Sequence, residues 1–295
     1  MYQELINSLS RETKILLNEP MKNHTSFKIG GPADILIMPN SIDDIKKVLS
    51  FSKDIPLYVI GNGSNLLVND EGVHGIVLKI SNCLNKVEVE GEYITAEAGA
   101  TLALVSNTAK KDSLTGMEWA CGIPGSIGGA VYMNAGAYGG EMKDIVYETT
   151  YIDGNNQIVT INNSEHGFGY RKSMFATEKS IILKTKLKLQ KGNKDEIELK
   201  MRQLLEQRKL KQPLEYPSAG STFKRPEGYF VGKMIEELNL KGMSIGGAQV
   251  SEKHGGFIIN KGNATAKDVK MLIDYVVNEV ERVYNIKLEP EVKMI

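Results

Sequence analysis

Two glycine-rich stretches carry the first chemical signal in this chain of 295 residues. Gly61-Asn-Gly-Ser-Asn-Leu66 follows the apolar run Ile55-Pro-Leu-Tyr-Val-Ile60, and GIPGSIGGAVYMNAGAYGG occupies residues 122–140. Two glycines separated by one residue let the backbone turn sharply and present consecutive N–H groups, a concavity suited to phosphate oxygens. Read alone, a single Gly-x-Gly is a tight turn between strands. The second stretch shifts the balance, because glycine costs backbone entropy and such density answers a structural demand. Disordered linkers are poor in Ile, Val, Met and Tyr, and this run contains all four. Close approach of backbone to an extended ligand is the better account, with the two loops gripping a dinucleotide pyrophosphate from both sides. The common fingerprints do not fit: Leu66 stands where a Rossmann turn requires its third glycine, and no loop closes with the Gly-Lys-Ser/Thr of a P-loop. Cys83 and Cys121 lie far apart without CxxC or a histidine at metal-ligand spacing, and read as buried reduced thiols. His74 and His166 belong to no constellation and read as structural.

Such loops need rigid elements to present them. The run 55–60 reads as a buried strand, preceded by a short helix that begins with the capping-box-like Ser41-Ile-Asp-Asp44. Runs 75–80, 86–90 and 93–96 read as strands, and Leu102, Val105 and Ala109 mark a helix. Residues 145–190 are strand-like again, and 181–189 alternates between an apolar and a basic face. Ile197, Met201, Leu204 and Leu205 predict an amphipathic helix over 195–209, the hinge into a second unit. That unit has its own Gly-rich loop and the clearest helix of the chain: Thr265 and Asp268 form a capping box, and Val269, Leu272, Ile273, Val276, Val280 and Val283 form one stripe. Its role is core packing. The expected division is 1–200, in two subdomains meeting near residue 80, followed by 201–295.

Charge excludes some partners. Lys plus Arg equals Asp plus Glu at 36 each, which gives no reason to invoke nucleic acid or an anionic membrane surface. The N-terminal stretch has no apolar core of signal-peptide length and no run approaches a membrane span, so a cytoplasmic protein is expected, acting as a monomer on small molecules.

Several motifs in order resemble the UDP-N-acetylenolpyruvoylglucosamine reductase (MurB) family. They are His24-Thr-Ser-Phe-Lys-Ile-Gly-Gly-Pro-Ala-Asp34, the 61–67 loop, Gly122-Ile-Pro-Gly-Ser-Ile-Gly-Gly-Ala130, Tyr170-Arg171, Ala219-Gly-Ser-Thr-Phe-Lys224, Lys233 and Leu288-Glu-Pro-Glu-Val292. They span nearly the whole chain, and the length between Lys186 and Ala219 is similar to the shorter branch, which lacks an inserted tyrosine-bearing loop. The resemblance implies an α+β fold: a two-part FAD-binding region of the vanillyl-alcohol-oxidase/MurB type, then a smaller α+β substrate-binding domain. It implies an FAD-dependent oxidoreductase of peptidoglycan precursor synthesis with noncovalent FAD, NADPH as reductant, a UDP-sugar substrate and no metal.

Site residues follow from the same resemblance. FAD would be embraced by Gly61, Asn62, Gly63, Ser64, Asn65 and Leu66 on one side, and by Gly122, Pro124, Gly125, Ser126, Gly128, Gly129, Ala130 and Asn134 on the other. Hydride added to an enolpyruvyl group pushes charge onto its carboxylate, and a proton must then reach the adjacent carbon. Arg171 suits the first demand, since its planar fork binds a carboxylate through two N–H groups. Ser221 is the expected proton donor, with no neighbouring histidine to make it a nucleophile, and Lys224 and Lys233 could favour the alkoxide left behind. Glu291 is expected on a strand, opposite a face made by Leu288, Val292 and Met294, with a raised pKa that lets it donate a hydrogen bond. Tyr170, Lys211, Arg225, Lys233 and His254 match positions near the UDP-sugar; His254 and Lys293 depart from residues common in the family. Trp119 reads as core rather than as a flavin-stacking ring. Two other classes are weighed: a different FAD-dependent oxidoreductase of the same fold, and a flavin or nucleotide sensor, which should have lost some of these residues.

Overall fold

The structure, a computed structural model, describes residues 2–80, 83–177 and 179–295. Two separate sheets lie in the first two thirds of the chain. A four-stranded sheet runs in the order Lys14–Pro20, Pro32–Met38, Val73–Lys79, Leu57–Ile60, the last two parallel with Leu57 opposite Ile76 and Ile60 opposite Lys79. Leu57–Ile60 is therefore an edge strand, and of its residues only Ile60 is buried; Val59 is 41% exposed, so the expectation of a buried strand fails there. The second sheet has five antiparallel strands in the order Ile158–Asn162, Val146–Ile152, Ile181–Lys188, Tyr93–Glu97, Val87–Glu90. In Ile181–Lys188 the alternation works as read, with Leu183, Thr185 and Leu187 buried and Lys184 and Lys188 exposed.

The chain divides into two compact units. The first is Met1–Leu17, Ile35–Asn62 and Gly75–Gln207; the second is Asn18–Asp34, Gly63–His74 and Arg208–Ile295. The late boundary, between Gln207 and Arg208, lies close to the expected 200/201. The earlier chain differs: residues 18–34 and 63–74 belong to the C-terminal unit, because Phe27, Ile29 and Leu67 bury their side chains in its core. No local composition marks such a departure. The two sheets do separate in sequence near residue 80, yet one continuous apolar cluster runs from Leu5 and Ile35 to Leu187 and Leu189 and makes them one unit.

Helix starts follow their caps. Ser41 Oγ accepts the Asp44 N–H at 3.1 Å to open Ile42–Phe51. The Asp44 carboxylate does not complete a box; it accepts from Ser10 N, Ser10 Oγ and Thr13 Oγ1. Helix Ala266–Tyr284 has the full reciprocal box of Thr265 and Asp268, and Asp70 adds a second cap by accepting from the Ala266 and Lys267 amides at 2.7 and 3.0 Å. Its stripe is buried from Val269 to Val280, whereas Val283 is 49% exposed in the last turn. Helix Lys194–Lys211 is longer than read and less amphipathic: Ile197 and Met201 are buried, Leu205 is exposed. In the second unit a three-stranded antiparallel sheet, Ser244–Ile245, Ala248–Val250 and Ile258–Asn260, packs with helix Ala266–Tyr284 and the short helix Val231–Glu237. Strand Lys293–Met294 pairs in parallel with Leu66–Leu67.

Candidate active site

The two glycine-rich stretches meet within the first unit. A Cβ on Gly61 would lie 2.3 Å from Ser126 Oγ, and Asn62 Nδ2 donates to the Pro124 carbonyl at 3.2 Å. Only a residue without a side chain at position 61 permits that approach. Among the described residues, no N–H of Gly61, Asn62, Gly125 or Ser126 donates to another protein group. Unspent N–H groups on these two touching loops of the first unit fit an anionic, acceptor-rich group such as the pyrophosphate of FAD.

Each glycine has its own reason. Gly63 has φ +64 and a Cβ there would sit 2.1 Å from the His24 carbonyl oxygen. Its lack of a side chain thus answers the backbone of its own unit. The 122–140 stretch is less a loop than expected. Ser126 caps the helix Ile127–Tyr132 by accepting from Gly129 N, and Gly136–Ala137 and Gly140–Glu141 form a small hairpin. Gly128 packs on Ala98, and Gly140 leaves room for the ring of Trp119, which is buried and donates to the Gly116 carbonyl. Gly122, Gly125, Gly129 and Ala130 remain part of this backbone, with Ala130 buried.

Asn134 does not offer its side chain to a ligand. Fully buried, with φ +42, it donates through Nδ2 to Glu141 Oε2 at 2.7 Å and the Gly169 carbonyl at 2.9 Å, and its Oδ1 accepts from Lys143 N at 2.9 Å. The Gly169 bond reaches the turn that carries Arg171. Gly169 and Lys172 exchange backbone hydrogen bonds and close a two-residue turn whose tip is Tyr170-Arg171. Arg171 has φ +55, a conformation that turns normally give to glycine or asparagine. Its Nη2 donates to the Gly136 carbonyl at 3.2 Å, and its guanidinium carbon lies 5.3 Å from the ring centre of Tyr170, which is 55% exposed. Neither the turn nor the role of Asn134 in pinning it was legible from residue types.

In the second unit the structure brings Ser221 and Glu291 onto neighbouring segments. Thr222 O accepts from Glu291 N at 2.7 Å, Lys224 N donates to Glu289 O at 2.8 Å, and Phe223 and Pro290 form a bridge between these bonds. Thr222 is buried and also fixed by its N–H to Gly256 O and by its hydroxyl, which accepts from Ile258 N. Ser221, next to it, is exposed and its hydroxyl has no partner among the described residues. Only Lys293–Met294 is strand here, and Glu291 is half-buried just before it. Leu288 and Val292 are buried as expected, but Met294 is 40% exposed and does not share their face.

The remaining candidates vary. Lys224 is paired with Glu289 at 2.7 Å, and Lys233 is an exposed residue of helix Val231–Glu237 lying 3.6 Å from Glu237. Lys211 is exposed at the end of its helix. Arg225 lies 3.8 Å over the exposed ring of Phe230 and donates to the Tyr229 carbonyl. His254 Nδ1 accepts from Gly256 N, and burial pushes this imidazole below its ordinary pKa, so it is neutral with its proton on Nε2. His166 is structural as read: fully buried, stacked on Phe168, with Nδ1 against Asn162 O and Nε2 against Thr149 Oγ1. His74 is exposed beside Asp34, 3.4 Å away. Burial raises the half-buried Cys83 thiol to about 11, so it stays protonated. Among the described residues no cluster of metal-ligating side chains exists and no helix is long and apolar enough to cross a membrane.

Residues 33–162 match the FAD binding domain family, and the fold is shared with Phl p 4.0202, described as a glucose dehydrogenase, at a TM-score of 0.51 and 15% identity over 64% of this chain and 44% of that one. The chain is an FAD-dependent oxidoreductase of the expected α+β, two-part flavin-binding architecture. Residues 212–295 match the family described as UDP-N-acetylenolpyruvoylglucosamine reductase, C-terminal domain. The enzyme of that name from Caldanaerobacter subterraneus subsp. tengcongensis is 51% identical over 98% of this chain and 96% of its own length, and that from Clostridium beijerinckii is 50% identical over 99% and 97%. The crystal structure of the Thermus caldophilus reductase superposes with a TM-score of 0.83 at 35% identity, covering 96% of this chain and 98% of that one. The chain belongs to the UDP-N-acetylenolpyruvoylglucosamine reductase (MurB) family.

Proposed function

We propose that this protein reduces UDP-N-acetylenolpyruvoylglucosamine to UDP-N-acetylmuramate with NADPH, through noncovalently held FAD, as a cytoplasmic step of peptidoglycan precursor synthesis. The observation that carries this reading is the Thr222–Glu291 backbone pairing, which sets an unpartnered serine hydroxyl and a carboxyl group on adjacent segments. Bound FAD supplies hydride transfer from NADPH to the enolpyruvyl carbon distal to the carboxylate. The residues of the chain bind, orient and move the proton. Arg171 holds the substrate carboxylate with a fork that stays charged while negative charge builds there. The Ser221 hydroxyl gives its proton to the adjacent carbon; the conjugate acid of that carbanion is so weak that an alcohol can serve as general acid when well placed. Glu291, kept protonated, donates a hydrogen bond to the same carboxylate instead of repelling it. Lys211 and Arg225 face the diphosphate for electrostatic reasons, with Tyr170, Lys233 and the Nε2–H of neutral His254 contributing to the sugar nucleotide.

An anaerobic titration tests the reading. The purified protein is yellow, bleaches with NADPH and regains its colour when UDP-N-acetylenolpyruvoylglucosamine is added. Protein that takes up no FAD, or reduced protein that is not reoxidised by this substrate, overturns it.

A further inference from the structure

We infer that Asn65 is a positioning residue that couples the glycine-rich flavin loop to Glu291 and, through Thr222, to Ser221. The inference rests on the roles proposed above for those two residues and on contacts that all lie within the second unit. Asn65 is the last polar residue of Gly61-Asn-Gly-Ser-Asn65, a stretch that opens with the Gly61 and Asn62 N–H groups that no protein acceptor takes. Its side chain turns away from that task. Asn65 Nδ2 donates to the main-chain carbonyl of Glu291 at 3.1 Å, while the Asn65 carbonyl accepts from Lys293 N at 2.9 Å. One residue thus clamps both flanks of Val292, whose side chain is buried in the core of this unit.

From Glu291 the chain of contacts continues. The N–H of Glu291 donates to Thr222 O at 2.7 Å, so the peptide groups on the two sides of Glu291 are fixed by different partners, one in the flavin loop and one beside Ser221. A side chain whose Cα is held from both sides has only its own rotamers left to sample, which is the condition for a hydrogen-bond donor to stay in register with its target. Thr222 is held in turn by Gly256 and Ile258, while Gly220 at φ +78 gives the turn before Ser221. Settling of the loop on a ligand is therefore felt at Glu291 before any substrate arrives. The link is a main-chain one: the amide of Asn65 touches the backbone of the acid, not its carboxyl, and its function needs a donor at that position.

Asn65→Asp tests this, since it keeps shape and turns the donor into an acceptor facing a carbonyl oxygen. Asn65→Ser, which removes the amide without adding charge, serves if the aspartate variant does not fold; the Lys293–Asn65 main-chain bond and the core contacts of Val292 remain in both. Two readouts are used. Deuterium exchange of the apoprotein should rise at the amides of Glu291 and Lys293 relative to wild type, and FAD should protect those amides in wild type but much less in the variant. In the FAD-loaded protein, reoxidation of reduced flavin by UDP-N-acetylenolpyruvoylglucosamine should fall roughly 10- to 100-fold further than bleaching by NADPH, the order expected for misplacement of a reacting group. Unchanged exchange at both amides, or equal losses in the two half-reactions, overturns the coupling. Failure of wild-type protein to turn over this substrate would instead defeat the proposed function, and the exchange readout would still decide the coupling.

Discussion

Each unit takes an asparagine from its glycine-rich segment and uses it to hold a backbone that carries a charged residue, but the two do so differently. In the first unit Asn134 is sealed, with donors and acceptor all engaged, and its bond to Gly169 supports a turn that forces Arg171 into a left-handed conformation. In the second, Asn65 is half-buried and joins two extended segments that already pair through their main chains, leaving Glu291 and the neighbouring Ser221 in ordinary backbone. Strain on one side and ladder pairing on the other lead to different expectations: damage near Arg171 should cost stability as well as rate, and damage at Ser221 should cost rate alone.

The largest effect should come from Ser221→Ala. Flavin bleaching by NADPH and the melting temperature stay near wild type, while reoxidation by the enolpyruvyl substrate falls by roughly 100- to 10,000-fold, the usual contribution of general acid catalysis. Cysteine in its place recovers part of the rate. Normal turnover of the alanine variant, or equal failure of both half-reactions, would break the assignment. Next, Arg171→Lys keeps the charge but loses the bidentate fork, and turnover should drop about 100-fold, comparable with removing one donor from an oxyanion site; a wild-type rate would remove Arg171 from the chemistry. Asn134→Ala tests the contrast itself. It leaves buried partners unsatisfied and should lower unfolding free energy by about 2–4 kcal/mol in denaturant titrations, with turnover falling as the Arg171 turn loosens. Loss of rate without loss of stability would show that the two asparagines are used alike.

Glycines separate in the same way. Gly63→Ala meets both a positive φ and the His24 carbonyl, so apoprotein stability should fall by at least about 1–3 kcal/mol, whereas Gly129→Ala meets only Ser126 Oγ at 3.5 Å inside a helix and should stay within about 1 kcal/mol of wild type. The smallest expected signal is the pH response of His166. Burial lowers its folded pKa below the ordinary 6.5, and hydrogen bonds that the ring donates to the Asn162 and Asn163 backbone and the charge of Glu165 only partly oppose this. The unfolded chain then binds the proton more readily, so this contribution is complete above pH 6.5 and is lost as pH falls through the window below it. Melting temperature should decline from pH 7 toward pH 5 less steeply in His166→Gln than in wild type; parallel curves would refute it.

Much of this was legible in sequence where one residue type has one local use. The caps at Ser41 and Thr265, the alternation of 181–189, the core role of Trp119 and the structural role of His166 all follow from short-range chemistry. The pairing of the segments that carry Ser221 and Glu291 was not readable, because it is made by main-chain groups of Thr222 and Glu291 that every residue possesses. Asn134 looked like a ligand contact because an asparagine in a glycine-rich run has the same signature whether its amide faces a cofactor or a carbonyl of the protein. The membership of residues 18–34 and 63–74 in the later unit depends on where Phe27, Ile29 and Leu67 find apolar partners, which lies beyond any local window.

That membership bears on how the protein is made. Residues 63–74, which include Leu66-Leu67 and the capping Asp70, leave the ribosome long before Arg208–Ile295, the part of the chain that supplies their partners. The glycine-rich loop therefore waits, half-finished, through the synthesis of an entire neighbouring unit, because the contact of Asn65 with Glu291 spans 226 positions of sequence. Contacts so distant in sequence make for slow closure, so nascent chains should hold this loop unclosed until residues 291–293 have emerged.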